Sequence, residues 1–89
     1  MKVTIKGLGD FEVKDLPYKT ARQLHRKNSR VFWGKSEEDV NPDEYYDLLE
    51  EVRELSGLKD VELNKLTMLE VDQLLQQILM DYLGLNPKD

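Results

Sequence analysis

Apolar positions follow three different rhythms along this chain. Val3, Ile5, Phe11 and Val13 alternate with polar residues on either side of Gly7-Leu8-Gly9-Asp10, the pattern of a β-hairpin spanning residues 1–14. A two-residue turn at Leu8-Gly9 would place Val3 opposite Lys14 and divide the apolar set between two faces. Pairing Val3 with Val13 and Ile5 with Phe11 keeps it on one face, so the expected loop centres on Leu8 with Gly9 in the left-handed region. A lone hairpin is barely stable in water, and its apolar face therefore has to lie on a helix.

Two later stretches repeat at helical spacing. Over 42–56, Tyr45, Leu48, Leu49 and Val52 form an inner stripe with Leu55 beside it. Asn41 stands as N-cap, Pro42 at the first helical position and Gly57 at the stop. Over 67–83, Val71, Leu74, Leu75, Ile78 and Tyr82 form the stripe, Thr67 and Glu70 make a capping box, and Gly84 ends the helix. Leu79 and Leu83 widen this stripe beyond that of a one-sided surface helix, which requires a second neighbour.

The third rhythm is faint. Lys14-Asp15-Leu16-Pro17 ends the hairpin and turns into a weak helix over 17–27, where Tyr18, Ala21 and Leu24, with His25 alongside, give only a thin inner stripe. Asn28-Ser29 predicts its stop. Arg30 to Gly34 is then a short apolar patch open to three readings: a turn of helix, an edge strand or an exposed plug. Lys35 to Val40 and Leu58 to Leu66 read as loops, the second pinned by Leu58, Val61, Leu63 and Leu66. The predicted class is α+β: an N-terminal hairpin followed by three helices, the last two forming a roughly antiparallel pair within one domain of 89 residues.

Composition narrows the function. The chain has no cysteine, one histidine and three serines, which leaves no thiol nucleophile, no thiolate zinc site and no arguable Ser-His-Asp arrangement. Asp60, Glu62 and Glu70 follow no calcium-loop pattern, and Gly7-Leu8-Gly9 joins two strands where a phosphate loop would open a helix. No catalytic, cofactor or metal residue is predicted. The amino terminus lacks the apolar run of a signal peptide and no stretch could span a membrane, so a soluble cytoplasmic protein is expected.

Charge is unevenly spread. The net charge is −5, yet Lys19, Arg22, Arg26, Lys27, Arg30 and Lys35 fall in a stretch from Tyr18 to Lys35 that holds none of the 18 carboxylates. Lys19, Arg22, Arg26 and Arg30, with Phe32 and Trp33 close by for stacking, form a candidate nucleic-acid-binding segment. The competing reading is an interaction module that uses Phe32 and Trp33 as anchors, with Trp33 open also to capping the protein's own core, and Met68, Leu79, Met80 and Leu83 as a contact strip on the last helix.

The order of elements, with Val3 to Val13 as hairpin, Lys14-Asp15-Leu16-Pro17-Tyr18, an acidic helix Pro42 to Ser56, and the closing Leu66-Thr67-Met68-Leu69-Glu70-Val71-Asp72-Gln73-Leu74-Leu75, resembles the phage tail assembly chaperones of siphophages and prophages. The resemblance covers nearly the whole chain. It implies a non-enzymatic protein of the host cytoplasm that keeps the tape measure protein soluble and helps recruit tail tube subunits. It also implies self-association and a frameshifted longer product. With its end at Asn86-Pro87-Lys88-Asp89, the chain would correspond to the short product.

Overall fold

The computed structural model describes residues 1–85; the expectation attached to Asn86 to Asp89 lies outside the described residues. Strands β1 (Lys2–Ile5) and β2 (Gly9–Glu12) form an antiparallel hairpin. Helix α1 (Tyr18–Phe32), a 3₁₀ turn at Glu37–Asp39, helix α2 (Pro42–Ser56), the short helix α3 (Asp60–Leu63) and helix α4 (Met68–Leu83) follow. The α+β class with a leading hairpin holds, with a fourth, one-turn helix inside the link expected to be a loop. Of that link's four expected pins, Leu58 and Leu63 are buried and Leu66 is half-buried, whereas Val61 points to solvent.

The hairpin register corrects the sequence expectation by two residues. Val3 pairs with Phe11 and Ile5 with Gly9, and Val13 N–H donates to Met1 O at 2.8 Å, so Val13 faces Met1 where Val3 was expected. The loop centres on Gly7, whose φ of 89° sits inside a turn closed by Leu8 N–H to Ile5 O. Side chains alternate with period two, so a two-residue shift preserves the face of every residue. Val3 and Val13 are accordingly buried, with Met1, Ile5 and Phe11 packed beside them.

Helix α2 begins where Asn41 Oδ1 accepts from the amides of Asp43 and Glu44, and ends at Gly57 with φ 80°. In α4 the capping box is complete: Glu70 N–H donates to Thr67 Oγ1 at 3.2 Å, and Thr67 N–H donates to Glu70 Oε1 at 2.9 Å. Leu74 and Ile78 lie at the centre of its buried face. Around α4 pack α2, β1 and α1, and these three neighbours take up its whole wide stripe, Leu79 and Leu83 included.

Helix α1 differs from expectation in both length and phase. It runs on through Asn28-Ser29 to Phe32, because Val31 lies two turns beyond Leu24 on the same side and both are buried in the core. The stop is Gly34, with φ 68°. Tyr18 and His25, expected inside, are exposed: the buried face centres on Leu24 and Val31, rotated by roughly 80° at 100° per residue from the stripe read in the sequence. Lys27 Nζ lies 2.9 Å from Glu51 Oε2, an oxygen sealed from solvent whose contact is ionic and lacks the geometry of a directed hydrogen bond.

Two polar ties join the hairpin's exit to the helices. Lys14 N–H donates to Ser56 O at 2.9 Å, and Tyr82 Oη donates to Lys14 O at 2.5 Å. Burial of the phenol, with the Asp15 charge adding to it, pushes the Tyr82 pKa up to about 12. An unfolded tyrosine ionises near pH 10, so the contribution of this group is fully present below pH 10 and is lost as pH rises through 12. Solvent screening of the half-buried ring limits that alkaline loss to about 1 kcal/mol. In urea unfolding, Tyr82→Phe is expected to lower stability by about 0.5–1.5 kcal/mol at pH 8 and by less at pH 11; an undiminished deficit at pH 11 would contradict the linkage.

Candidate partner-binding surface

The residues nominated from the sequence separate into two groups. Leu79 and Leu83 are 6% and 7% exposed and belong to the core cluster, so they do not form a contact strip. Phe32, Trp33, Met68 and Met80 are all exposed, Trp33 at 83%. Trp33 is the C-cap of α1: its own N–H closes the last turn on Ser29 O, and its backbone leaves the helix at ψ 126°. That departure, followed by Gly34, directs the indole away from the core.

Phe32 opens an aromatic cluster that joins α1 to α2. Its ring meets Tyr45 edge to face, with centroids 5.9 Å apart, and Tyr45 stands 5.7 Å from Tyr46. Gln76 Nε2 of α4 donates to Tyr45 Oη, so α4 connects to the same cluster. Burial raises the Tyr45 pKa, the Gln76 hydrogen bond acts in the opposite sense, and the phenol stays neutral at physiological pH.

The outward face of α4 continues from this cluster. Leu69, Gln73, Gln76 and Met80 recur at i, i+4, i+7 and i+11, all are exposed, and none carries charge. Charged residues make up 35% of this protein, so an uncharged strip three turns long, bordered by half-exposed Asp72 whose charge reaches Tyr45, is a departure from its general surface. Sequence reasoning nominates Met80 and Met68 but misses Leu69, Gln73, Gln76, Tyr45 and Tyr46. The spacing from Leu69 to Met80 is a signal present in the chain; the junction with Tyr45 and Tyr46 depends on how α2 and α4 pack.

The charged segment lies on another side. A groove of about 540 Å³ separates α1 from α2, with Arg26, Lys27 and Arg30 on one wall and Glu44, Asp47 and Glu51 on the other. Cations and carboxylates therefore offset each other there, and Lys35 adds an ion pair to Glu44 at 3.7 Å. Lys19 and Arg22 point outward from α1, and Arg22 lies over the Tyr18 ring, 5.2 Å from its centroid.

Among the described residues, no group of three or more His, Asp or Glu side chains could hold a metal ion, and no helix is long and apolar enough to cross a membrane. No family model, curated protein or solved structure matches the chain.

Proposed function

We propose that this protein is a non-enzymatic assembly chaperone of the phage tail kind, which binds the tape measure protein in the host cytoplasm and helps recruit tail tube subunits. The observation that carries this reading is the uncharged outward face of α4, Leu69 to Met80, continuous with the aromatic cluster around Tyr45. A tape measure chain carries long apolar helical stripes. A helix face bearing Leu, Met and glutamine can lie along such a stripe, with methionine adapting to an irregular partner and glutamine satisfying stray polar groups. Phe32 and Trp33 supply large anchors at the edge of the same region.

The acidic exterior of α2, with Asp43, Asp47, Glu50 and Glu54, supports solubility of the resulting complex. Self-association through the same uncharged face would keep it covered until the partner arrives. The test is co-expression with a siphophage tape measure protein. The tape measure chain should stay soluble and co-purify, and Leu69→Asp should release it to the insoluble fraction. Equal partitioning of the tape measure chain with and without this protein would overturn the proposal.

A further inference from the structure

We infer that the outward face of α1 is a docking surface for single-stranded nucleic acid, a function separate from that of the uncharged face of α4 although Trp33 borders both. The extension of α1 to Phe32 places Lys19, Arg22, Arg26 and Arg30 on one continuous helix, within an arc of roughly 80° at 100° per residue. All four are exposed, and no ion pair to any of them exists among the described residues; Lys19 and Arg22 face fully outward, while Arg26 and Arg30 also border the groove that holds Glu44, Asp47 and Glu51. Exposed aromatic rings stand at both ends of this stripe, Tyr18 at the first turn and Trp33 at the C-cap, roughly 22 Å apart along the axis.

The two flanks of α1 differ in charge. Toward α2 lie Glu44, Asp47 and Glu51, which repel phosphate. The opposite flank carries a depression of about 310 Å³ lined by Tyr18, Ala21, Arg22 and His25, with no carboxylate. Three of its four lining residues carry planar groups; the Arg22 guanidinium already lies over the Tyr18 ring and donates to Tyr18 Oη at 2.7 Å, so a planar base would extend an existing stack. A strand following this stripe would place its phosphates along Lys19, Arg22, Arg26 and Arg30 and reach the indole of Trp33. An acidic peptide would satisfy the cations but would need an aromatic side chain at each ring, whereas every base of a single strand brings a planar face. The overall charge of −5 is unevenly placed: the carboxylates near α1 lie on its α2 flank, and the depression on the other flank is lined by none.

Trp33 is the single tryptophan of the chain and so reports directly on its own contact. The experiment titrates the intact protein with oligothymidylate of about twelve nucleotides, within the usual site sizes of single-strand binders. The expected result is quenching of the indole and binding that weakens with salt at a logarithmic slope of about −2.8, for four cations on a single strand. Lys19→Glu with Arg22→Glu should lower affinity and bring that slope toward about −1.4. Both positions are exposed and lie away from α2, and circular dichroism checks the fold. Trp33→Leu, followed by anisotropy of a labelled oligonucleotide, should weaken binding at least about fivefold with little change in slope. Absence of binding at low salt would overturn the inference. So would equal binding of polyglutamate or duplex DNA without quenching, which would identify a general polyanion surface.

Discussion

Leu79→Asp is expected to unfold the protein at neutral pH, whereas Met80→Asp, one residue along, should leave a folded domain that no longer holds the proposed tape measure partner. The two positions differ by one step of the helix, and that step crosses from the core to solvent. A carboxylate at Leu79 would have to be desolvated among Leu75, Ile78 and Leu83 with no cation in the cluster, at a cost of several kcal/mol. Stability at about 0.05–0.15 kcal/mol per residue gives this chain only about 4–13 kcal/mol to lose. Circular dichroism and urea unfolding report the first outcome, and ultracentrifugation with co-purification reports the second. A Leu79→Asp protein that stays folded would return that residue to the surface, and a Met80→Asp protein that still holds its partner would remove α4 from the interface.

The second large effect is expected at Leu74, which is fully buried at the centre of the inner face of α4. Leu74→Ala removes a side chain from a site enclosed by several elements, where little collapse is available to fill the space. The expected loss is about 2–5 kcal/mol. Urea unfolding should show a lowered midpoint with an unchanged slope, since the truncation alters stability and leaves the surface exposed on unfolding almost the same. A loss below about 1 kcal/mol would mean that the neighbours of Leu74 close over the gap.

The capped helices were legible because their ends are local chemistry. Asn41, Pro42 and Gly57 delimit α2, and Thr67, Glu70 and Gly84 delimit α4, each through backbone groups within a few residues. What depended on tertiary packing was harder to read. The hairpin register slipped by two because alternation constrains parity and leaves the count open; the turn at Gly7 decides the count. Asn28-Ser29 carries a local stop signal, but burial of Val31 outweighs it, since one buried valine contributes about 1.5–3 kcal/mol against a few tenths for propensity.

The site was half legible for the same reason. The width of the α4 stripe was visible, and it called for an additional neighbour; that neighbour is supplied internally by α1 and β1 together with α2. Leu79 and Leu83 are therefore interior. The face proposed for a partner is the one opposite, where no apolar stripe marks it because glutamines hold two of its four positions. Trp33 could not be placed by composition, since the same residue type serves as core or anchor. The turn that exposes it is set by the end of a helix that the sequence predicted to be shorter.

The thin attachment of α1 has a consequence in time as well as in space. Pro17 offers it no side-chain cap, and Leu24 and Val31 are its only fully buried residues, while α2 and α4 each bury four or more. Its amides should exchange with solvent through a local opening well below the free energy of global unfolding, ahead of those in α2 and α4. The two proposed surfaces then differ in kind. The face on α4 is as permanent as the core behind it, and the face on α1 exists only for as long as a marginal helix stays docked, so a ligand that bridges Tyr18 and Trp33 would slow the exchange of the helix it occupies.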